Sequence, residues 1–151
     1  MHWKGLKTDE YLWGHEWAKH GTCVPTLTPD CYQNYRAGQE AVDYFNRAVA
    51  VFKTLPTYEW LAAAGIVPSD SESYSSDAIR EALRTKHGVS ATIGCKGGVL
   101  DSVWYYFHVD GSLKAGDFVA AEPTNGARGN CPDMVRYPPK KAFSYSELKL
   151  L

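Results

Sequence analysis

Two imidazoles, a carboxylate and an ammonium fall within six consecutive positions of the chain, in the segment Trp13-Gly14-His15-Glu16-Trp17-Ala18-Lys19-His20-Gly21-Thr22-Cys23. On a helix advancing about 100° per residue, with His15 at zero, Lys19 falls near about 40°, Glu16 near about 100° and His20 near about 140°. The four ionisable groups therefore share one face, with Trp17 and Ala18 opposite, an arrangement that buries the aromatic and turns the charged set into a cleft. Glu16 and His20 are four apart, as are His15 and Lys19, so a carboxylate can orient an imidazole and an ammonium can share an anion with the other. These types suit phosphodiester chemistry in which a ribose 2′-hydroxyl attacks the adjacent phosphate. That reaction needs a base for the hydroxyl, an acid for the leaving 5′-oxygen and a cation for the charge that builds on phosphorus. The substrate brings its own nucleophile, so neither a metal nor a cofactor is expected. Catalytic zinc of the H-E-x-x-H kind needs two histidines one turn apart, whereas His15 and His20 are five apart and diverge.

The elements that must position this cluster follow from local patterning. A short helix is predicted around Trp13 to His20, with Gly21 as its stop. Val42, Phe45, Val49 and Phe52 recur at three and four and predict a helix from about Tyr32 to Leu55, ended by Pro56, with these side chains as its inner face. A shorter helix runs from Thr57 as N-cap to Gly65, with Trp60 and Leu61 inward, and a polar loop covers Ser69 to Ser76. Ser75 or Ser76 caps a third helix carrying Ile79, Ala82 and Leu83 and closed by Lys86, His87 and Gly88. Beyond Gly88 the pattern turns to strands. Val89, Ala91 and Ile93 alternate, Val103 to Val109 is the strongest strand signal, Asp110-Gly111 marks a turn and Phe118 to Ala120 is the return strand. Residues 123–132 read as loop. Helices first and antiparallel strands later predict an α+β fold, as a single domain over residues 1–151.

Composition sets the outer limits. With 151 residues, 44% hydrophobic, the chain can bury a sizeable core without metal. Sixteen Lys and Arg against seventeen Asp and Glu leave a formal charge of −1, which disfavours broad binding to DNA through a basic surface but not the local handling of one or two phosphates. No run of about 18 apolar residues is present, so no membrane partner is expected, and the first residues show no apolar secretory signal. Four cysteines, at 23, 31, 95 and 131, lie too far apart for a paired zinc motif and suit disulfides in an oxidising compartment, with buried free thiols as the other reading.

The run H-E-W-A-K-H-G-T-C closely resembles the second active-site segment of the ribonuclease T2 family. Leu12-Trp13 upstream, Cys31 eight residues after Cys23, and the block from Cys95 through Val99-Leu100 and Val103–Val109 to Cys131 resemble its fungal branch, so that the likeness covers nearly all of the chain. The resemblance implies a ribonuclease T2-like fold of helices on an antiparallel sheet. It implies an endoribonuclease that passes through a 2′,3′-cyclic phosphate to a 3′-phosphate on single-stranded RNA, as a monomer, in a secreted or vacuole-like setting. It implies that His20 is one of two catalytic histidines, acid or base. Glu16 and Lys19 would stabilise the pentacovalent intermediate, and His15, with Lys19, would bind phosphate. Trp13 and Trp17 would act mainly as supports, although an exposed Trp3, Tyr11 or Trp13 could instead stack on a base. It further implies a Cys95–Cys131 disulfide, and upstream partners for Cys23 and Cys31.

Family members also carry a segment of the form H-G-L-W-P, whose histidine completes the acid–base pair. His2-Trp3-Lys4-Gly5-Leu6 is only superficially similar to it and lies too close to the second segment. His87-Gly88-Val89 lacks the continuation and is expected as a solvated helix end, and His108 as a core or cross-strand histidine. The expectation is a family member lacking its N-terminal part, with weak activity at best. Cys23 and Cys31 are then orphan thiols unless they pair with each other. An inactive protein that still binds RNA or nucleotides through His15, Lys19 and His20 is the alternative.

Overall fold

The computed structural model describes residues 8–126 and 129–140. They cluster into two compact units, one of residues up to Leu55 with His108–Val119, the other of Pro56–Phe107 with the chain from Ala120 onward.

The first unit is built on two helices, α1 (Asp9–Lys19) and α2 (Gln39–Lys53), joined by three short 3₁₀ turns at Gly21–Cys23, Pro25–Leu27 and Pro29–Cys31. Aromatic packing links the helices. Trp13 lies 6.1 Å from Phe45, and Trp17 meets the Tyr44 ring edge-on at 5.7 Å. Gly21 is buried against the Trp17 ring, which a Cβ there would overlap; it opens a 3₁₀ turn, and the α1 C-cap is His20. The helix expected from Tyr32 begins only at Gln39, since Tyr32–Gly38 is irregular and Gly38 enters with a left-handed φ of 83°. Its predicted inner stripe faces outward in large part: Val42, Val49 and Phe52 are 58%, 49% and 42% exposed. Of the stripe only Phe45 is half-buried, and Tyr44, Arg47 and Val51 are among the other half-buried positions of the helix. The segment 108–119 is tied to this unit by the Arg47 guanidinium, which donates to the Gly116 carbonyl and lies 4.7 Å over the Phe118 ring, and by Leu113 N–H donating to Thr26 Oγ1 at 3.1 Å.

The second unit holds helices α3 (Thr57–Ala63) and α4 (Ser76–His87) and a four-stranded sheet. The sheet comprises β1 (Ser73–Ser75), β2 (Thr92–Lys96), β3 (Val99–Trp104) and β6 (Met134–Arg136) in the order β1-β6-β3-β2. The pairs β1–β6 and β2–β3 are antiparallel, and β3 meets β6 in parallel at Val99 and Arg136. Leu61, Ile66, Ile79, Leu83, Ala91, Ile93 and Val135 form the core. α4 follows its sequence signals closely: the Ser75 hydroxyl accepts from Ala78 N–H, and Gly88 closes the helix in the left-handed region at φ 90°.

Four expectations change here. Thr57 is the first residue of α3 rather than its cap, and its hydroxyl pairs with Tyr105 Oη at 2.8 Å. Part of the Ser-rich loop is strand β1, which finds a partner in β6, a segment too short and too polar in its flanks to be read as a strand. The strand run from Val103 to Val109 is interrupted at Tyr105, which separates β3 from β4 (Tyr106–Asp110), while β4 pairs with β5 (Asp117–Ala121) as the expected return strand. In place of alternation, residues 91–94 are all buried, because β2 is covered on both faces.

Candidate active site

α1 owes its start to Thr8, whose hydroxyl accepts from Tyr11 N–H at 3.2 Å. Asp9 and Glu10 in the first turn and Lys19 in the last complement the helix dipole. Backbone and Thr8 hydrogen bonds hold the Glu10 carboxyl below its ordinary range. The helix thus extends one full turn before the predicted start at Trp13, and His15, Glu16 and Lys19 all lie within it, with His20 as its C-cap.

The structure brings the four predicted groups onto one helix face. Glu16 Oε2 lies 3.8 Å from His20 Nε2, with the two side chains 39% and 62% exposed. Ion pairs so open contribute at most about 1 kcal/mol to stability, so the contact matters for orientation rather than folding. His15, Lys19 and His20 are exposed and Glu16 is half-buried, so this face is open to solvent and not recessed in a cleft as expected. Trp17 is half-buried against Tyr44, as a support should be, but Ala18 on the expected inner side is exposed. Trp13 rests on Phe45 while staying 58% exposed, which suits both support and stacking.

One neighbour of the cluster escaped sequence reading, and one was named only as a possible base-stacking ring. Tyr44, whose ring meets that of Trp17 edge-on, has its hydroxyl pushed above its usual range by burial and, after it, by the Glu16 charge. Nothing in the spacing of α2 relative to α1 announces that. Tyr11 lies one turn before His15 with its ring within 10° of parallel, and the i, i+4 spacing did carry that signal.

The remaining histidines stand apart. His108 is exposed on β4, which pairs with β5, so of the two expected places it takes the strand position and not the core. His87 is not a solvated helix end: its ring lies 4.9 Å from that of Tyr105, 5.3 Å from Phe107 and 6.4 Å from Trp60, and its buried Nε2 has no hydrogen-bond partner. Burial holds its pKa below the ordinary value, against the charge of Glu122 and a hydrogen bond to the Tyr106 backbone, both of which raise it. His2 and Trp3 lie outside the described residues. Cys95 and Cys131 are joined, with Cα atoms 4.9 Å apart. Cys23 and Cys31 are both free and exposed; the thiol of Cys23 contacts the Lys19 carbonyl, and that of Cys31 contacts Thr28 Oγ1 and the Pro25 carbonyl.

A family model described as the Ribonuclease T2 family matches residues 1–119. The chain is similar to Ribonuclease Trv of Hypocrea rufa, with 55% identity over 141 residues that make up 93% of this chain and 60% of that protein. It is also similar to a Ribonuclease T2-like protein of Aspergillus fumigatus, with 50% identity over 92% of this chain and 34% of that protein. Among solved structures, Actibind, a T2 ribonuclease, superposes with a TM-score of 0.84 at 43% identity, covering 89% of this chain and 56% of that one. RNase NT in complex with 5′-AMP gives 0.61 at 27% identity, with 86% and 58% covered. The chain therefore spans from 34% to 60% of the length of these two sequence relatives. The likeness runs through the helix that carries His15, Glu16, Lys19 and His20 and on past β4, and on that ground the chain belongs to the ribonuclease T2 family.

Proposed function

We propose that this chain is part of an endoribonuclease that cleaves single-stranded RNA by metal-independent transphosphorylation, through a 2′,3′-cyclic phosphate to a 3′-phosphate. The observation that carries the reading is the open face of α1, where His15, Glu16, Lys19 and His20 project together and Glu16 approaches His20. In this reading His15 and Lys19 hold the phosphate, and Lys19 and Glu16 stabilise the pentacovalent state. His20 moves the proton of either the 2′-hydroxyl or the leaving 5′-oxygen. Glu16 orients His20, and Trp13, resting on Phe45, has enough exposed ring to meet substrate. A concerted cleavage wants a second proton-transfer group. His87 is enclosed by three aromatic rings and His108 lies on a strand outside α1, so neither is assigned that part. The family match crosses both compact units, which supports reading residues 1–151 as one ribonuclease T2-like domain; in this reading it works as a monomer in a secreted or vacuole-like compartment.

The test is incubation of the purified chain with a short RNA, without metal, at pH about 5 and at neutral pH, beside a His20→Ala variant. Ends bearing 2′,3′-cyclic phosphate that vanish in the variant are the expected result. A folded chain that binds RNA and loses that binding in His15→Ala and Lys19→Ala, yet releases no cyclic phosphate, is a binding protein and not a nuclease.

A further inference from the structure

Away from α1, the first unit holds a small cavity of about 190 Å³ lined by Asp43, Asn46, Arg47 and Ala50 of α2 and by Lys114. The four α2 residues recur at three, four and seven, so they form one face of the helix. Lys114 comes from the segment 112–116, which is fixed at both ends. Leu113 N–H donates to Thr26 Oγ1, Gly116 N–H donates to the Ser112 carbonyl, and the Gly116 carbonyl accepts from the Arg47 guanidinium. The Lys114 ammonium is itself seated 3.8 Å from the centre of the Tyr32 ring, so this cation has a set place although it is exposed.

Two cations therefore line one cavity, and among the described residues no carboxylate lies within ion-pair distance of either. Arg47 gives one donor to Gly116 and its flat face to Phe118, and its buried Nε has no hydrogen-bond partner among the described residues. Asp43 lines the same cavity without pairing with them. Two unanswered positive charges call for an anion. The carboxylate selects which one, since it repels an anion with no proton to offer and accepts a hydrogen bond from one that carries a proton. The volume falls short of the about 300–1,000 Å³ of pockets for drug-sized ligands, which suits one tetrahedral group and not a base.

We propose that Asp43, Asn46, Arg47 and Lys114 form a site for a protonated phosphate group, either the monoester end of a nucleotide or the free ion, and not for the diester of an RNA backbone. Arg47 and Lys114 answer the charge, the Asn46 amide donates to a phosphate oxygen, and the Asp43 carboxylate accepts from the P–OH. A phosphomonoester keeps that proton near and below its second pKa of about 6, whereas a diester and sulfate have none to give. The site goes beyond the ribonuclease reading, because it uses no residue of α1; the 3′-phosphate end left by such a cleavage is one of the monoesters it takes.

The experiment is an NMR titration of the chain at pH about 6 with inorganic phosphate, adenosine 3′-monophosphate, dimethyl phosphate and sulfate, each alone. The Asn46 side-chain amide and the Arg47 Nε–H report this site, and the ring protons of His15 and His20 report α1. Phosphate and the nucleotide move the Asn46 and Arg47 signals, while dimethyl phosphate and sulfate bind there at least about 10-fold more weakly. Lys114→Gln, with the circular dichroism of the parent, weakens phosphate at this site by about 10-fold and leaves its effect on His15 and His20 unchanged. Asp43→Asn removes the discrimination, so that sulfate binds as phosphate does, because an amide donates to either. Tighter binding of the nucleotide than of phosphate assigns the site to nucleotide ends, equal binding assigns it to the phosphate group alone, and both keep the proposal. It is overturned if phosphate leaves the Asn46 and Arg47 signals unmoved in the folded parent, if Lys114→Gln binds it there as the parent does, or if sulfate or dimethyl phosphate matches phosphate in the parent. None of these results touches the ribonuclease reading, which stands or falls on His20→Ala.

Discussion

Replacing Cys95 and Cys131 together by alanine tests what holds the second unit. The bond closes a loop between residues 36 apart, and on the chain-entropy estimate a loop of that length is worth about 4 kcal/mol of restraint on the unfolded chain. The folded junction does not depend on the bond alone. Asn130 Oδ1 accepts from Cys95 N–H at 2.8 Å, Asn130 Nδ2 donates to the Cys95 carbonyl at 3.1 Å, and Gly129 bridges Ile93 in parallel. With those contacts in place, the native sheet should persist in the double variant, and the loss should fall on the denatured side. Urea unfolding followed by far-UV circular dichroism would show a midpoint lowered by roughly 2 M for an m-value near about 2 kcal/mol/M, with m itself larger because the unlinked chain exposes more surface. A loss under about 1 kcal/mol with m unchanged would refute the reasoning, since the loop would then be restrained in the unfolded ensemble by something other than the bond.

Two further outcomes follow from the second unit's packing. His87 is held neutral among Trp60, Tyr105 and Phe107, so its folded pKa lies below the value of about 6.5 expected in the unfolded chain. The unfolded chain then binds the proton first. The stability that neutral His87 contributes is complete above about pH 6.5, declines as pH falls through that value and levels off below the folded pKa. Thermal melts at pH 7.5 and pH 5 should show a smaller acid-induced drop in His87→Phe than in the parent, and equal drops would remove His87 from the account. Leu83 is wholly buried in the core with Ile79 and Leu61, so Leu83→Ala should cost about 2–5 kcal/mol in denaturant unfolding, and a cost below about 1 kcal/mol would mean that the site collapses around the gap.

Short-range signals were read well. The capped helix from Ser76 to His87, with Gly88 as its left-handed stop, needs only its own residues: a serine that accepts from the first turn, apolar spacing through Ile79 and Leu83, and cations at the end. The i, i+4 geometry of Glu16 and His20 is likewise helical arithmetic. What failed was long-range. Val42, Val49 and Phe52 have flawless spacing for an inner face and lie exposed, because periodicity says that a face is apolar and not what covers it. Tyr105 continues a strong strand pattern and still breaks it, since its hydroxyl pairs with Thr57 and its ring with Trp60 and His87, partners 18 or more positions away in the chain.

The sequence by itself determined which chemistry sits on α1, because residues 15, 16, 19 and 20 of one helix fall within an arc of about 140° and so share a face. It also carried the family resemblance, and with it the pairing of Cys95 with Cys131. Only the tertiary structure decided the solvent exposure of that face, the packing of Tyr44 on Trp17, the aromatic enclosure of His87 and the pairing of β1 with β6. Local dihedrals and caps are set by neighbours a few bonds apart. Burial and desolvation are set by whichever distant surface packs on a residue, and no local pattern names that surface.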